Sequence, residues 1–214
     1  MSDSEIFRKF LSEQTLVLLS AEQIERAVRF RERAVEENEK QNLTRLLSPQ
    51  DFFEGHVLDV LHLYKTGWIT EKTLDLGAGM GVPGLLYALL FGGDWVFSDS
   101  ETSKAEFMSR IIDEFHLRAA HATNQRAEEY IQSQGKEIST ITSRAVGTVT
   151  KMFTWRSKSS TWNTLIVFKG PKWEEEWAEF SKSGQRKRLE IQGEYSYSVG
   201  IDNKSRKIIR LRRK

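Results

Sequence analysis

The chain contains no cysteine among its 214 residues. That absence excludes disulfides, cysteinyl zinc sites, iron–sulfur clusters and every mechanism that runs through a thiolate nucleophile. Long apolar runs are missing as well. The longest, Val82 to Gly92, is broken by Pro83 and Gly84 and is about half of the roughly 20 residues a membrane helix needs. Residues 1–20 carry Asp3, Glu5 and Glu13 around an apolar patch too short and too acidic for a secretory signal, so a cytoplasmic protein is expected. His62, His116 and His121 share no metal-ligand spacing, and no metal is expected. There is no internal repeat and no low-complexity linker. What is present is 39% hydrophobic residues in a chain long enough for one domain with a real core.

The net charge of +2 hides an asymmetry. Residues 1–180 hold 21 Lys/Arg against 27 Asp/Glu, a net of −6, whereas residues 181–214 hold 11 against 3, a net of +8. A basic end on a balanced chain suits a polyanion such as RNA, or equally a solvated edge strand protected by Lys and Arg.

Ser20 with Gln23 reads as a capping box, and Ile24, Ala27, Val28, Ala34 and Val35 follow at helical spacing. Ser48-Pro49 starts a second helix that places Phe52, Phe53, His56, Val57, Val60, Leu61 and Tyr64 on or near one face. Short apolar runs then alternate with helical segments, the pattern of a parallel sheet with crossover helices. Strands are expected near 72–76, 94–98, 118–123, 138–142 and 163–168, and helices near 82–91, 102–115, 126–132, 147–155 and 173–182. Two last strands, 188–199 and 205–212, flank a loop beginning at Gly200, so an antiparallel hairpin should close the sheet. Trp173 and Trp177 should cover the core while Glu174, Glu175 and Glu176 stay solvated.

Four of the 14 glycines, Gly77, Gly79, Gly81 and Gly84, fall within eight residues between a strand and a helix. Glycines there supply positive φ and let the backbone approach a ligand closely, so this is a cofactor turn. The glycine spacing alone fits a dinucleotide or S-adenosylmethionine. Asp75, at the strand's end, would repel a pyrophosphate but suits the cationic sulfonium and amino group of S-adenosylmethionine. Asp99, 22 residues beyond Gly77, can accept from ribose hydroxyls or cap the next helix ahead of Glu101. Arg144, directly after an apolar strand, should stand in the ligand crevice. His56 with Asp59 reads either as a site pair or as a surface ion pair.

From about residue 20 to the C-terminus the sequence resembles the bacterial small-subunit rRNA guanine-N7 methyltransferases, also called glucose-inhibited division protein B. The resemblance is carried by Asn42-Leu43-Thr44, His56-x-Leu58-Asp59, the turn from Asp75 to Gly84, Asp99-Ser100 with Lys104, Arg126-Ala127-Glu128, Ser143-Arg144-Ala145 and Lys169-Gly170, in order and spacing. It implies a Rossmann-like class I methyltransferase with a mostly parallel seven-stranded sheet. A helical extension, residues 1–66, would pack on a methyltransferase domain of residues 67–214. It implies S-adenosylmethionine as cofactor and a guanine of 16S rRNA near the decoding region as target. The partner would be that rRNA, free or in the small subunit or its assembly intermediate, and the protein a monomer. Cofactor contacts carry over to Gly77, Val82, Ala127, Glu128 and Arg144, beside Asp75, Gly79 and Asp99 from the turn itself. Asn42, His56, Arg126, Lys169 and Arg206 match positions near the cofactor or RNA pocket. The sequence departs from the family pattern at residues 36–41, which are more acidic and lack an aromatic, at Ala105 after Lys104, and at the polar Lys158-Ser159-Ser160-Thr161.

Guanine N7 has an in-plane lone pair and no proton, so its methylation needs alignment and no general base. An Arg held on N7 would block the reaction; Arg144 and Arg126 are better placed on O6, a phosphate or the cofactor carboxylate. Carbon-5 methylation of a pyrimidine needs the missing cysteine. Exocyclic amine methylation needs an Asp/Asn-Pro-Pro-aromatic segment where Thr142-Ser143-Arg144-Ala145 stands. Asp75, Lys104, Lys169 and Glu174 have the wrong spacing for 2′-hydroxyl methylation. A nicotinamide-dependent oxidoreductase on the same glycines, and a non-catalytic RNA-binding protein with a degenerate methyltransferase fold, are the alternatives.

Overall fold

The apolar runs form seven strands in a computed structural model that describes residues 1–156, 162–184 and 186–214. They are β1 (Thr73–Leu76), β2 (Trp95–Ser98), β3 (Ala120–Thr123), β4 (Thr140–Arg144), β5 (Thr164–Lys169), β6 (Leu189–Val199) and β7 (Lys204–Arg213). They make one sheet of order β3-β2-β1-β4-β5-β7-β6. The first five are mutually parallel, and β7 runs antiparallel to both β5 and β6, the closing hairpin expected from the sequence. Every residue of β1 and β2 is buried, as in parallel strands covered on both faces. β4 runs two residues further than the sequence suggested, to Arg144, which stays paired with Phe168.

Helices α1 (Asp3–Glu13), α2 (Ala21–Asn38), α3 (Pro49–Phe52) and α4 (Leu58–Thr66) precede the sheet. Between its strands lie α5 (Gly84–Phe91), α6 (Thr102–Glu114), α7 (Ala127–Ser133), α8 (Val149–Arg156) and α9 (Trp173–Lys182). One hydrophobic cluster joins Phe7 of α1, Phe30 of α2 and Leu61 of α4 to α5, α6 and the Trp95, Phe97, Ile166 and Ile208 face of the sheet. A second covers the opposite face, from Leu74, Leu76 and Val96 to Phe153, Trp173 and Phe180. Alternate strand residues therefore feed alternate layers.

The sequence reading did not anticipate α1. Its signal was the capping box in which Ser2 Oγ accepts from Glu5 N–H at 3.3 Å and Glu5 Oε2 accepts from Ser2 N–H at 2.6 Å. The Ser20 and Ser48 caps stand as expected. The helix begun at Pro49 is interrupted, however, by a π turn over Phe53–Val57 before α4. That turn swings Gly55, His56 and Asp59 inward, all buried, while Tyr64, expected on the buried face, is 42% exposed. Residues 158–161 lie outside the described residues.

Candidate active site

Strand β1 has β2 on one side and β4 on the other, so its carboxyl end is the switch point of the sheet, where open α/β sheets bind ligands. The glycine turn leaves from that point. Gly77 and Gly79 have φ of +62° and +61°, a region that L side chains rarely adopt. A Cβ on Gly77 would stand 2.6 Å from Val146 Cγ2, whereas one on Gly79 meets nothing within 4 Å. The chain is tight at the first glycine and open at the second.

Asp75 holds this turn from beneath. It is fully buried; Oδ2 accepts from Gly84 N–H at 2.8 Å and Oδ1 accepts from the Thr142 hydroxyl at 2.9 Å. Burial pushes its carboxyl up to about 6. The sequence argument set Asp75 against the sulfonium; both of its oxygens are instead turned into the protein, and its charge acts through the turn it clamps. Val82 is likewise buried in the core, so its side chain is not displayed to a ligand. A Cβ on Gly84 would fall 2.7 Å from Asp75 Oδ2, and Gly84→Ala should therefore cost roughly 1–3 kcal/mol. Urea unfolding of the variant checks this.

Beyond the turn lies a cleft of about 190 Å³ whose lining includes Gly77, Asp99, Arg126, Ala127, Glu128 and Val146. Asp99 Oδ2 accepts from Gly79 N–H at 2.9 Å and Oδ1 from Glu101 N–H at 3.0 Å. The cap residue of α6 is Glu101, so Asp99 is not that cap; it faces the cleft and ties it to the turn. An acceptor carboxylate at the end of β2, open space over Gly79 and the start of α7 fit the nucleoside part of S-adenosylmethionine.

Arg144 leaves the end of β4 toward the π turn. Its guanidinium donates to Gly55 O at 2.8 Å, Asp59 Oδ2 at 2.9 Å and His56 Nδ1 at 2.9 Å. Asp59 Oδ1 accepts from Tyr197 Oη at 2.6 Å and from Arg206 at 2.5 Å. His56 and Asp59 are thus a buried pair bridged by Arg144, which removes the surface ion-pair reading. Since Arg only donates, Nδ1 must be the acceptor, and Nε2–H donates to Thr44 Oγ1 at 2.9 Å. Burial, helped by Arg144 and Arg206, lowers His56 to about 3, so the ring is neutral. Both of its nitrogens are used. Tyr197 was not among the expected site residues, and Asp59 was weighed only as the partner of His56; the available signal was an aspartate set among Val57, Leu58, Val60 and Leu61.

The other expected residues divide. Arg126 sits at the cleft, Arg206 joins the arginine cluster, and Asn42 is exposed two residues before Thr44. Lys169 points elsewhere: its Nζ donates to Gly147 O at 3.0 Å and to Glu176 Oε1 at 2.8 Å, and the same oxygen accepts from Val149 N–H at 2.6 Å. Glu176 is not solvated as expected but latches α9 to the loop that follows Arg144. Trp173 does cover the core.

These burials set a pH dependence. A histidine depressed in the fold loses stability as pH falls from its ordinary 6.5, and His62, lowered to about 4 by burial, acts in the same direction as His56. Between pH 6.5 and 5, His56 alone should cost on the order of 2 kcal/mol. Asp75, raised in the fold, works oppositely below pH 6 and returns about 1 kcal/mol. Denaturant melts at pH 7 and 5 should show the net loss, and His56→Gln should flatten it.

Fold, turn and cleft define a Rossmann-like class I methyltransferase dependent on S-adenosylmethionine. Residues 23–205 match the family described as rRNA small subunit methyltransferase G, GidB, and the chain belongs to that family. A ribosomal RNA small subunit methyltransferase G from Mesoplasma florum is 30% identical over 165 residues, 76% of this chain and 70% of the relative. Its counterpart from Rhodopirellula baltica is 32% identical over 165 residues, with the same shares. TrmK of M. capricolum, solved with S-adenosyl-homocysteine, superposes with a TM-score of 0.54 at 9% identity, over 71% of this chain and 66% of that one. Fibrillarin gives 0.53 at 12% identity, over 73% and 81%. These last two share the fold. The family match decides against the nicotinamide alternative.

Proposed function

We propose that this protein transfers the methyl group of S-adenosylmethionine to N7 of a guanine in 16S rRNA near the decoding region. The observation that carries this reading is that, among the described residues, the arginine cluster beside the cofactor turn holds no free base. His56 is neutral with both nitrogens bonded, and both oxygens of Asp59 and of Asp75 are engaged. Such a site suits an acceptor that already has its lone pair and gives up no proton. Bound S-adenosylmethionine supplies an electrophilic methyl group on a sulfonium sulfur.

Gly77, Gly79, Asp99, Ala127 and Glu128 would hold the cofactor, with Asp75 and Val82 shaping the turn. Arg144, Arg206, His56, Asn42 and Arg126 would position the RNA, while Lys169 braces the loop after Arg144. Exposed Lys187, Arg188, Arg212 and Lys214, on or beside the closing hairpin, offer a surface for the RNA backbone. The protein would act as a cytoplasmic monomer on 16S rRNA, free or within the small subunit or its assembly intermediate.

The test is incubation with S-adenosylmethionine and 16S rRNA or small subunits from cells lacking the enzyme, followed by aniline cleavage at N7-methylguanine. One new cleavage site is expected. Absence of any new site with both substrates would overturn the reading.

A further inference from the structure

Asp59 is a single carboxylate, 3% exposed, facing two guanidiniums. Since His56 is neutral and Tyr197 is a phenol held protonated by burial and by the charge of Asp59, the cluster carries one surplus positive charge. In the transfer, the N7 lone pair forms the new C–N bond while the methyl–sulfur bond breaks. Sulfur keeps that electron pair and becomes a neutral thioether, and the positive charge ends on the purine. A cationic surrounding opposes that shift, so each donor near the base has to be tied to a negative group.

We propose that Asp59 is a positioning residue for this transfer: it fixes Arg144 and Arg206 in orientation and cancels half of their charge, with Tyr197 holding the carboxylate in place. The inference rests on the N7-methyltransferase reading. Its geometry is a cleft of about 360 Å³ between the π turn and the hairpin loop, lined by Glu54, Gly55, Gly200 and Arg206 among others. Arg206 enters that cleft from β7 and Arg144 reaches Gly55 from β4. Among the described residues Asp59 is the one group bonded to both, from a third element. A carboxylate with three donors on two oxygens has no rotational freedom, and the arginines inherit that rigidity.

The experiment compares methyl transfer to 16S rRNA and S-adenosylhomocysteine affinity for the wild type, Asp59→Asn, Arg206→Met, the double variant and Tyr197→Phe. Asp59→Asn should lower kcat on the order of 100-fold while cofactor affinity stays within about twofold. The double variant returns the cluster to the wild-type net charge and should recover about tenfold of that loss. Tyr197→Phe, which keeps the ring stacked 4.1 Å from His62, should lower kcat about three- to tenfold with KM for RNA unchanged. If Asp59→Asn fails to fold, the double variant and Tyr197→Phe decide. Wild-type kcat in Asp59→Asn or Tyr197→Phe, no recovery in the double variant, or a parallel loss of cofactor affinity would overturn the inference. A wild type that forms no N7-methylguanine would instead remove the function reading beneath it.

Discussion

Gly77→Asp should abolish S-adenosylhomocysteine binding, with a loss of at least about 100-fold in affinity by calorimetry. Three costs converge on that atom position. The left-handed φ of +62° disfavours any L side chain by about 1–2 kcal/mol. The new Cβ would collide with Val146 Cγ2 at 2.6 Å, and the second carboxylate would stand in the same cleft as Asp99. Gly77→Ala carries the first two costs without the charge, so it should lose affinity to a smaller extent. Normal binding by Gly77→Asp would move the cofactor away from this turn.

Arg144→Met should lower methyl transfer to 16S rRNA on the order of 1000-fold, measured with labelled S-adenosylmethionine. The substitution removes the donors to Gly55, Asp59 and His56 at once and leaves His56 Nδ1 without a partner in the interior. Breaking a buried ion pair from one side typically costs about 3 kcal/mol or more. Arg144 is one-fifth exposed, so the stability loss should fall at or below that figure. Arg144→Lys keeps the charge but cannot donate in three directions from one plane, and should recover little activity. A fully active Arg144→Met protein would detach the cluster from the reaction.

The glycine turn was legible in the sequence because turn chemistry is local: Asp75 and the glycines lie within ten residues, and positive φ shows directly in composition. The strands were legible for the same reason, as apolar runs between turn signals. The arginine cluster was not. Arg144 meets His56 88 residues away, and Asp59 meets Arg206 147 residues away. His56 and Asp59 were weighed as a surface pair because i, i+3 neighbours face each other on an α-helix. His56 in the π turn and Asp59 just beyond it in α4 each reach Arg144 instead. Lys169 and Glu176 show the reverse error. Two charged residues with plausible solvent or RNA roles are a half-buried latch, which only the packing of α9 against the loop after β4 reveals.

The π turn itself works as a phase adjuster. Holding one residue more than an α-helical turn rotates everything after it by about 100°. Phe52 before it and Leu61 after it both reach the same hydrophobic layer, while Asp59 is carried round to the arginines. One offset thereby sets both the packing and the chemistry of α4. A single-residue deletion there would turn Leu61 and Asp59 together, so it should cost both the packing of α4 and the bonds from its carboxylate to the arginines.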